Sequence, residues 1–179
     1  MIDSAAVSPA TSAPERVGTP LAGGRKAPFL LIALAVLAVD QWTKWLIETN
    51  LPEQSSRVVI PGVLEISHVR NTGVAFGLFA SPGGPARSWW LSLFGVLALG
   101  LIAMLFRRTP AKDRLLLSAL ALVLGGAIGN LLDRIWSGAV TDFIAVFIGS
   151  YRWPDFNVAD SAISIGLTLI LFDSFRNRT

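Results

Sequence analysis

Four stretches of the chain run apolar with few charges between polar connections: residues 28–47, 88–106, 114–134 and 158–175. Each approaches the ~20 residues that a helix rising ~1.5 Å per residue needs to cross ~30 Å of hydrocarbon. The pattern predicts four transmembrane helices, spaced closely enough to form one bundle. Between the first two, RVVIPGVLEISHVRN (57–71) clusters β-branched residues around Pro61-Gly62, which predicts short strands turning back on each other. The fold class that follows is all-α integral membrane: a four-transmembrane-helix bundle with a small extracytoplasmic β element between spans one and two. The segment NTGVAFG (71–77) is too short to span and too apolar to float in water, so it is expected at the interface.

Composition fixes the solvent. With 53% hydrophobic and only 15% charged residues over 179 positions, and a mean hydropathy of +0.58, a soluble domain is excluded. There is no cysteine, so disulfides, thiolate nucleophiles and Cys-ligated metals are excluded too. The net charge of +3 does not indicate nucleic acid, because the basic residues stand beside spans rather than in a patch interleaved with aromatics. Arg16, Arg25 and Lys26 precede the first span, Arg107, Arg108, Lys112 and Arg114 join the second to the third, and Arg176 and Arg178 follow the fourth. By the positive-inside rule both termini and the 107–114 loop are cytoplasmic, and 48–87 and 135–157 face outward.

Residues 1–27 are rich in Ala, Ser, Pro and Gly and lack an apolar core, so they are expected to be a disordered cytoplasmic tail before a four-span domain at 28–179. The run from Pro28 contains Asp40 and Lys44 and no small-residue cleavage site, which predicts a retained helix rather than a signal peptide.

Charges inside such spans need a reason, since each costs roughly 2.5–3.5 kcal/mol at mid-membrane on insertion scales. Asp40 and Lys44, four apart in DQWTK, suit an intrahelical ion pair with the lysine snorkelling outward, or else a direct part in the chemistry. Gly125 and Gly129 form a small-xxx-small face for close helix packing. Asn130 and Arg134 share a helical face near the outer end; they suit a ligand carbonyl or carboxylate, or else a capping Asn and a snorkelling Arg. Asn71 and Gly73 suit either a tight turn or a close backbone approach to a ligand. His68, the lone histidine, has no second ligand in a metal-binding spacing and is expected to be a surface or strand residue, with no metal site.

Two aspartates carry the chemistry. Asp142 stands in an apolar stretch just outside span three, and Asp160 falls at N3 of span four if Asn157 is its N-cap. Singly, one reads as a solvated loop carboxylate and the other as a capping group. Together they lie at one depth, and the intervening residues can fold back as an interfacial turn to bring them together. Two carboxyls in a low-dielectric site do not both ionise easily, which supplies an acid and a base.

In chain order, DQWTK (40–44), NTGVAF (71–76), GGAIGNLLDR (125–134), VTDF (140–143) and FNVADSAISIG (156–166) make the sequence resemble the bacterial signal peptidase II family, the lipoprotein signal peptidases. The resemblance covers everything but the tail. It implies an aspartyl endopeptidase of the bacterial cytoplasmic (inner) membrane, its site at the outer leaflet. Such an enzyme removes the signal peptide from diacylglyceryl-modified prolipoproteins just before the lipidated cysteine. The catalytic pair then falls on Asp142 and Asp160, with supporting or substrate-holding positions at Asp40, Lys44, Asn71, Gly73, Asn130, Arg134, Asn157 and Ala159. It further implies no cofactor, a monomer in contact with membrane lipid, binding of globomycin-type inhibitors, and a lid and cradle made by NTGVAF and the β element. A proton-coupled transporter and a non-catalytic lipid-binding bundle are the rival classes. The first would show acidic groups near mid-membrane and an inverted repeat; the second leaves Asp142 and Asp160 unexplained.

Overall fold

The computed structural model describes residues 26–73 and 86–176, with side chains in the second helix from residue 92 onward. The expected tail therefore lies outside the described residues, apart from its last two positions, and so do positions 74–77 of NTGVAFG. Four helices make up most of the described chain: α1 (Ala27–Asn50), α2 (Ala86–Arg108), α3 (Arg114–Ser137) and α4 (Val158–Arg176). Among the described residues α1, α3 and α4 are long and apolar enough to cross a membrane. Many large apolar side chains on them point outward, such as Leu31, Leu34 and Leu171, as a lipid solvent permits and water does not.

Helix α3 is the axis of the bundle, packing against α1, α2 and α4. Its glycines set how close the neighbours come. A Cβ on Gly125 would stand 2.5 Å from the Ala33 carbonyl oxygen on α1, and one on Gly126 would collide with the Ala159 carbonyl oxygen on α4. The glycine face is thus two-sided, where the spacing of Gly125 and Gly129 alone points to a single partner. Toward the α2–α3 connection Leu117, Leu120, Ala121, Ala33 and Phe106 form the buried apolar core. There Lys26 Nζ donates to the carbonyls of Phe106 and Arg107 (2.9 and 2.7 Å), satisfying the end of α2.

The β element is larger than expected and differently built. An antiparallel sheet of order β1-β2-β3-β4 comprises β1 (Ser56–Ile60), β2 (Leu64–Asn71), β3 (Val140–Ile148) and β4 (Tyr151–Arg152). Only β1 and β2 come from the connection between α1 and α2. The chain between α3 and α4, expected as an interfacial turn, supplies β3 and β4, so Asp142 sits in a strand and not in a loop. The physical reason is register: VTDFIAVFI offers nine residues of backbone to β2, pairing Asn71 with Val140, Val69 with Asp142 and Ile66 with Ile144. The fold is therefore mostly helical with a small sheet, rather than all-α.

The return from β4 to α4 keeps hold of β3. Phe156 N donates to Ile144 O (3.1 Å), Ile144 N donates back to Phe156 O (2.8 Å), and Trp153 N donates to Val146 O (2.8 Å). This delivers the start of α4 to the middle of β3.

Candidate active site

Asn157 begins α4 as its cap. Its Oδ1 accepts the Asp160 N–H (2.9 Å), and Asp160 Oδ2 accepts the Asn157 N–H (3.4 Å, at the long end), the reciprocal arrangement of a capping box. The remaining amide group of Asn157 turns the other way and donates from Nδ2 to Asp142 Oδ1 (2.8 Å). One buried side chain therefore touches both the Asp142 carboxyl and the backbone of Asp160. The two aspartates singled out from sequence are brought together here, and Asp160 is a capping group and a member of this pair at once.

Each carboxyl also has its own asparagine. Asn71 Nδ2 donates to Asp142 Oδ2 (2.8 Å), a diagonal contact across β2 and β3 that follows from the pairing of Val69 with Asp142. Asn130 Nδ2 donates to Asp160 Oδ1 (2.8 Å). Asp142 is almost wholly enclosed, and that burial, reinforced by the Asp160 charge, raises its pKa from 3.8 to about 7 although both asparagine amides pull the other way. Its proton is on offer near neutrality.

Beneath the pair lies a charged cluster that fixes Asn130. Lys44, expected to snorkel outward, is instead buried at 3% exposure because α3 supplies a second carboxylate. Its ammonium forms ion pairs with Asp40 Oδ2 (2.8 Å) and Asp133 Oδ2 (2.6 Å) and donates to Asn130 Oδ1 (3.0 Å). An ammonium only donates, so it holds the Asn130 oxygen toward itself and turns the Asn130 NH₂ toward Asp160. Asp40 Oδ1 accepts the Ala159 N–H (2.9 Å), so a carboxylate of α1 satisfies a free donor at the start of α4. Gly129 makes room for it, since a Cβ there would stand 2.5 Å from Asp40 Oδ2. Ala159, fully buried, is small for the same close approach.

Arg134 and Gly73 meet. Arg134 Nη2 donates to Gly73 O and Nη1 to Asn130 O, both at 3.3 Å, while Gly73 N donates to Asn71 Oδ1 (2.9 Å) in a turn closed by the asparagine side chain. Both readings of Arg134 are thereby altered: its described contacts are backbone oxygens, and its side chain lines a cavity. That cavity, of about 350 Å³, extends from Asp160, Asn130 and Arg134 down between α2, α3 and α4 to Gly95 and Leu167. A smaller one of about 260 Å³ lies on the other side of Asp160, under Trp153 and Phe156. Both are mainly apolar and bordered by Asp160, the larger also by Asp155, a shape suited to a lipid-soluble chain carrying a polar bond.

Sequence reasoning passed over Asp133 and Gln41, whose Nε2 donates to Asp133 Oδ1 (2.8 Å). The available signal was the second carboxylate in LLDR, at the same end of its span as Asn130. Glu48 was passed over too; it accepts from Thr141 Oγ1 at 2.5 Å, tying α1 to β3. His68 is a strand residue but not a surface one: it is buried, and its Nδ1–H donates to Leu51 O (2.7 Å), anchoring β2 to the end of α1. Among the described residues no group of three His, Cys, Asp or Glu is disposed to hold a metal.

The family model described as signal peptidase (SPase) II matches residues 32–176. The lipoprotein signal peptidase of Pseudoalteromonas translucida is 43% identical over 147 residues, covering 82% of this chain and 87% of the relative. That of Desulforapulum autotrophicum is 39% identical over 148 residues, covering 83% and 91%. A solved structure described as a bacterial membrane enzyme superposes with a TM-score of 0.74 at 32% identity, covering 82% of this chain and 92% of that one.

Proposed function

This chain belongs to the signal peptidase II family, and from that premise we propose that it is an aspartic endopeptidase in which Asp142 and Asp160 act as one catalytic pair. Membership makes it an integral membrane protease that removes lipoprotein signal peptides. The finer reading is that the substrate is a diacylglyceryl-modified prolipoprotein, cut just before its lipidated cysteine. Four spans, cytoplasmic termini and a site at the outer leaflet of the bacterial inner membrane belong to the same reading. One observation carries it: Asn157 hydrogen-bonds the Asp142 carboxyl with one end of its amide and caps Asp160, which borders an apolar cavity, with the other.

The roles follow from the surroundings. Asp142, enclosed and with its pKa near 7, holds the shared proton. Asp160, at the positive end of α4 and bordering the cavity, is the base that addresses water. Asp160 takes a proton from water as the water oxygen bonds to the scissile carbonyl carbon, and Asp142 gives its proton to the carbonyl oxygen. When the tetrahedral intermediate collapses, a diol proton returns to Asp142, Asp160 delivers its proton to the leaving nitrogen, and the C–N bond breaks. Products are the carboxyl end of the signal peptide and the free amine of the lipidated cysteine, and the pair is restored. Arg134, Asn71 and Gly73 shape the entrance, and a globomycin-type cyclic peptide occupies the same cavity.

The test is cleavage of a lipidated prolipoprotein by purified Asp142→Asn and Asp160→Asn, with folding checked on the same samples. Each single variant loses turnover about a hundredfold or more, the low end of what a positioned acid or base supplies. The double variant is hardly worse, because the pair acts as a unit. Near-normal cleavage by either single variant removes the pair from catalysis.

A further inference from the structure

The two hairpins of the sheet end side by side. Val63 O accepts the Phe147 N–H (2.9 Å) and Leu64 pairs with Val146, so the β1–β2 turn at 60–63 lies next to the β3–β4 turn at 148–151. Ile148 is six residues along β3 from Asp142, about 20 Å at the usual strand rise. This end of the sheet is apolar and uncovered: Ile60, Val63, Ile148 and Tyr151 are all about half exposed or more, Ile148 at 64%. β1 is also an edge strand of exposed Val58, Val59 and Ile60, which in water would be an aggregation hazard.

The depth of this end relative to the bundle can be read from α4. Trp153, just past β4, lines the smaller cavity together with Ile165 of α4. Ile165 lies seven residues beyond the start of that helix, about 10 Å along its axis. The β4 side of the sheet thus stands beside the first two turns of a membrane-spanning helix. Its exposed aromatics, Tyr151 and Trp153 in edge-to-face contact at 6.4 Å, are of the type that collects at lipid headgroup level. Arg57, three residues before Ile60 on the edge strand, is the cationic side chain placed to meet phosphate groups, whereas Arg152 is already paired with Asp155 (2.9 Å).

We propose that the paired hairpin tips, 60–63 and 148–151, are a lipid-docking surface that dips into the interfacial layer of the leaflet at the active-site end of the bundle. The occupant is the bilayer itself, because Trp153, just past the second tip, stands beside Ile165 on the outward, apolar face of the membrane-spanning α4. Docked there, the sheet keeps β3, and with it Asp142, at a set height above the hydrocarbon.

The chain has no cysteine, so single probes are clean. Val63→Cys and Ile148→Cys, labelled with an environment-sensitive fluorophore, are placed in nanodiscs whose lipids carry a nitroxide near the headgroup. Lys112→Cys in the α2–α3 connection is the water reference and Leu171→Cys on α4 the lipid reference. The tip probes are expected to emit to the blue of Lys112→Cys and to be quenched several-fold more by the lipid nitroxide, while resisting aqueous iodide. Tip probes that match Lys112→Cys overturn the proposal. So does quenching that appears only with a second, spin-labelled copy of the protein, which would make the tips a self-association face. A functional arm rests on the peptidase reading: Ile60→Ser with Ile148→Ser slows cleavage several-fold in nanodiscs and leaves it unchanged in detergent. Equal loss in both media counts against lipid docking, whereas the fluorescence result stands whether or not the chain is a peptidase.

Discussion

Replacing Lys44 by Met tests the coupling between the buried charges and the site. The methionine keeps most of the side-chain length but removes the only cation described between Asp40 and Asp133, leaving two carboxylates enclosed without it. Breaking a buried pair in this way costs about 3–5 kcal/mol of stability, because the stranded charge keeps its desolvation penalty. A second effect is specific to the site. Without the ammonium at 3.0 Å, the Asn130 oxygen keeps only the longer hydrogen bond from Asn157 Nδ2 (3.3 Å), and the amide is freer to rotate its oxygen toward Asp160. Losing a hydrogen bond to a charged group is worth about 1.5–3 kcal/mol, or about ten- to 150-fold in rate at 1.36 kcal/mol per decade. The assay is thermal unfolding and single-turnover cleavage on the same nanodisc preparation, held well below the unfolding midpoint of the variant. Adding Asp133→Asn to Lys44→Met removes one stranded charge and is expected to recover part of the stability but little of the rate. A Lys44→Met protein that unfolds at the wild-type temperature and cleaves at the wild-type rate refutes the argument.

Three further outcomes are expected. Gly126→Ala forces α4 away from α3, since its Cβ collides with the Ala159 carbonyl; the midpoint of unfolding falls and cleavage falls with it, while Gly100→Ala, where nothing lies within 4 Å, changes neither. Raising pH through about 7 strips the proton from Asp142, so cleavage declines on that limb, and a rate that stays flat there contradicts its role as the acid. The sign for stability is the same: with its folded pKa raised, Asp142 contributes stability that is full below 3.8 and lost as pH rises through about 7, which unfolding midpoints across that range measure. Ser56→Cys labels from outside intact cells and Ala111→Cys does not; the reverse pattern would put the catalytic pair on the cytoplasmic side.

What the sequence made legible was what depends on neighbours along the chain. The helices differ from the expected spans by a few residues, the Asp40 and Lys44 pair follows from a spacing of four, and Asn157 with Asp160 follows from the spacing of a capping box. The convergence of Asp142 and Asp160 could be argued because both flank spans at one level. What stayed hidden was set by pairing across the chain. VTDFIAVFI carries no clean alternation, because β3 is buried over most of its length, so nothing in its pattern separates a strand from an apolar turn. Lys44 was misjudged for a similar reason. Snorkelling is the default for a lysine near a helix end, and only Asp133, 89 positions away on another helix, reverses it.

The contact between the Asp40 carboxylate and the Ala159 amide bears on the order in which the protein is made. These groups stand 119 positions apart, on the first helix and the last. During synthesis α1 enters the membrane long before α4 exists, so Asp40 waits with its eventual partner missing. Lys44, one turn away on the same helix, is available at once and neutralises it as a local pair. When α4 arrives, Asp40 already points where a free helix N–H has to be met, and the same docking carries Asp160 to Asn130. With Asp160 as the proposed base, the nascent chain holds no working site until its final span is seated, and hydrolytic competence becomes a property of completed biogenesis.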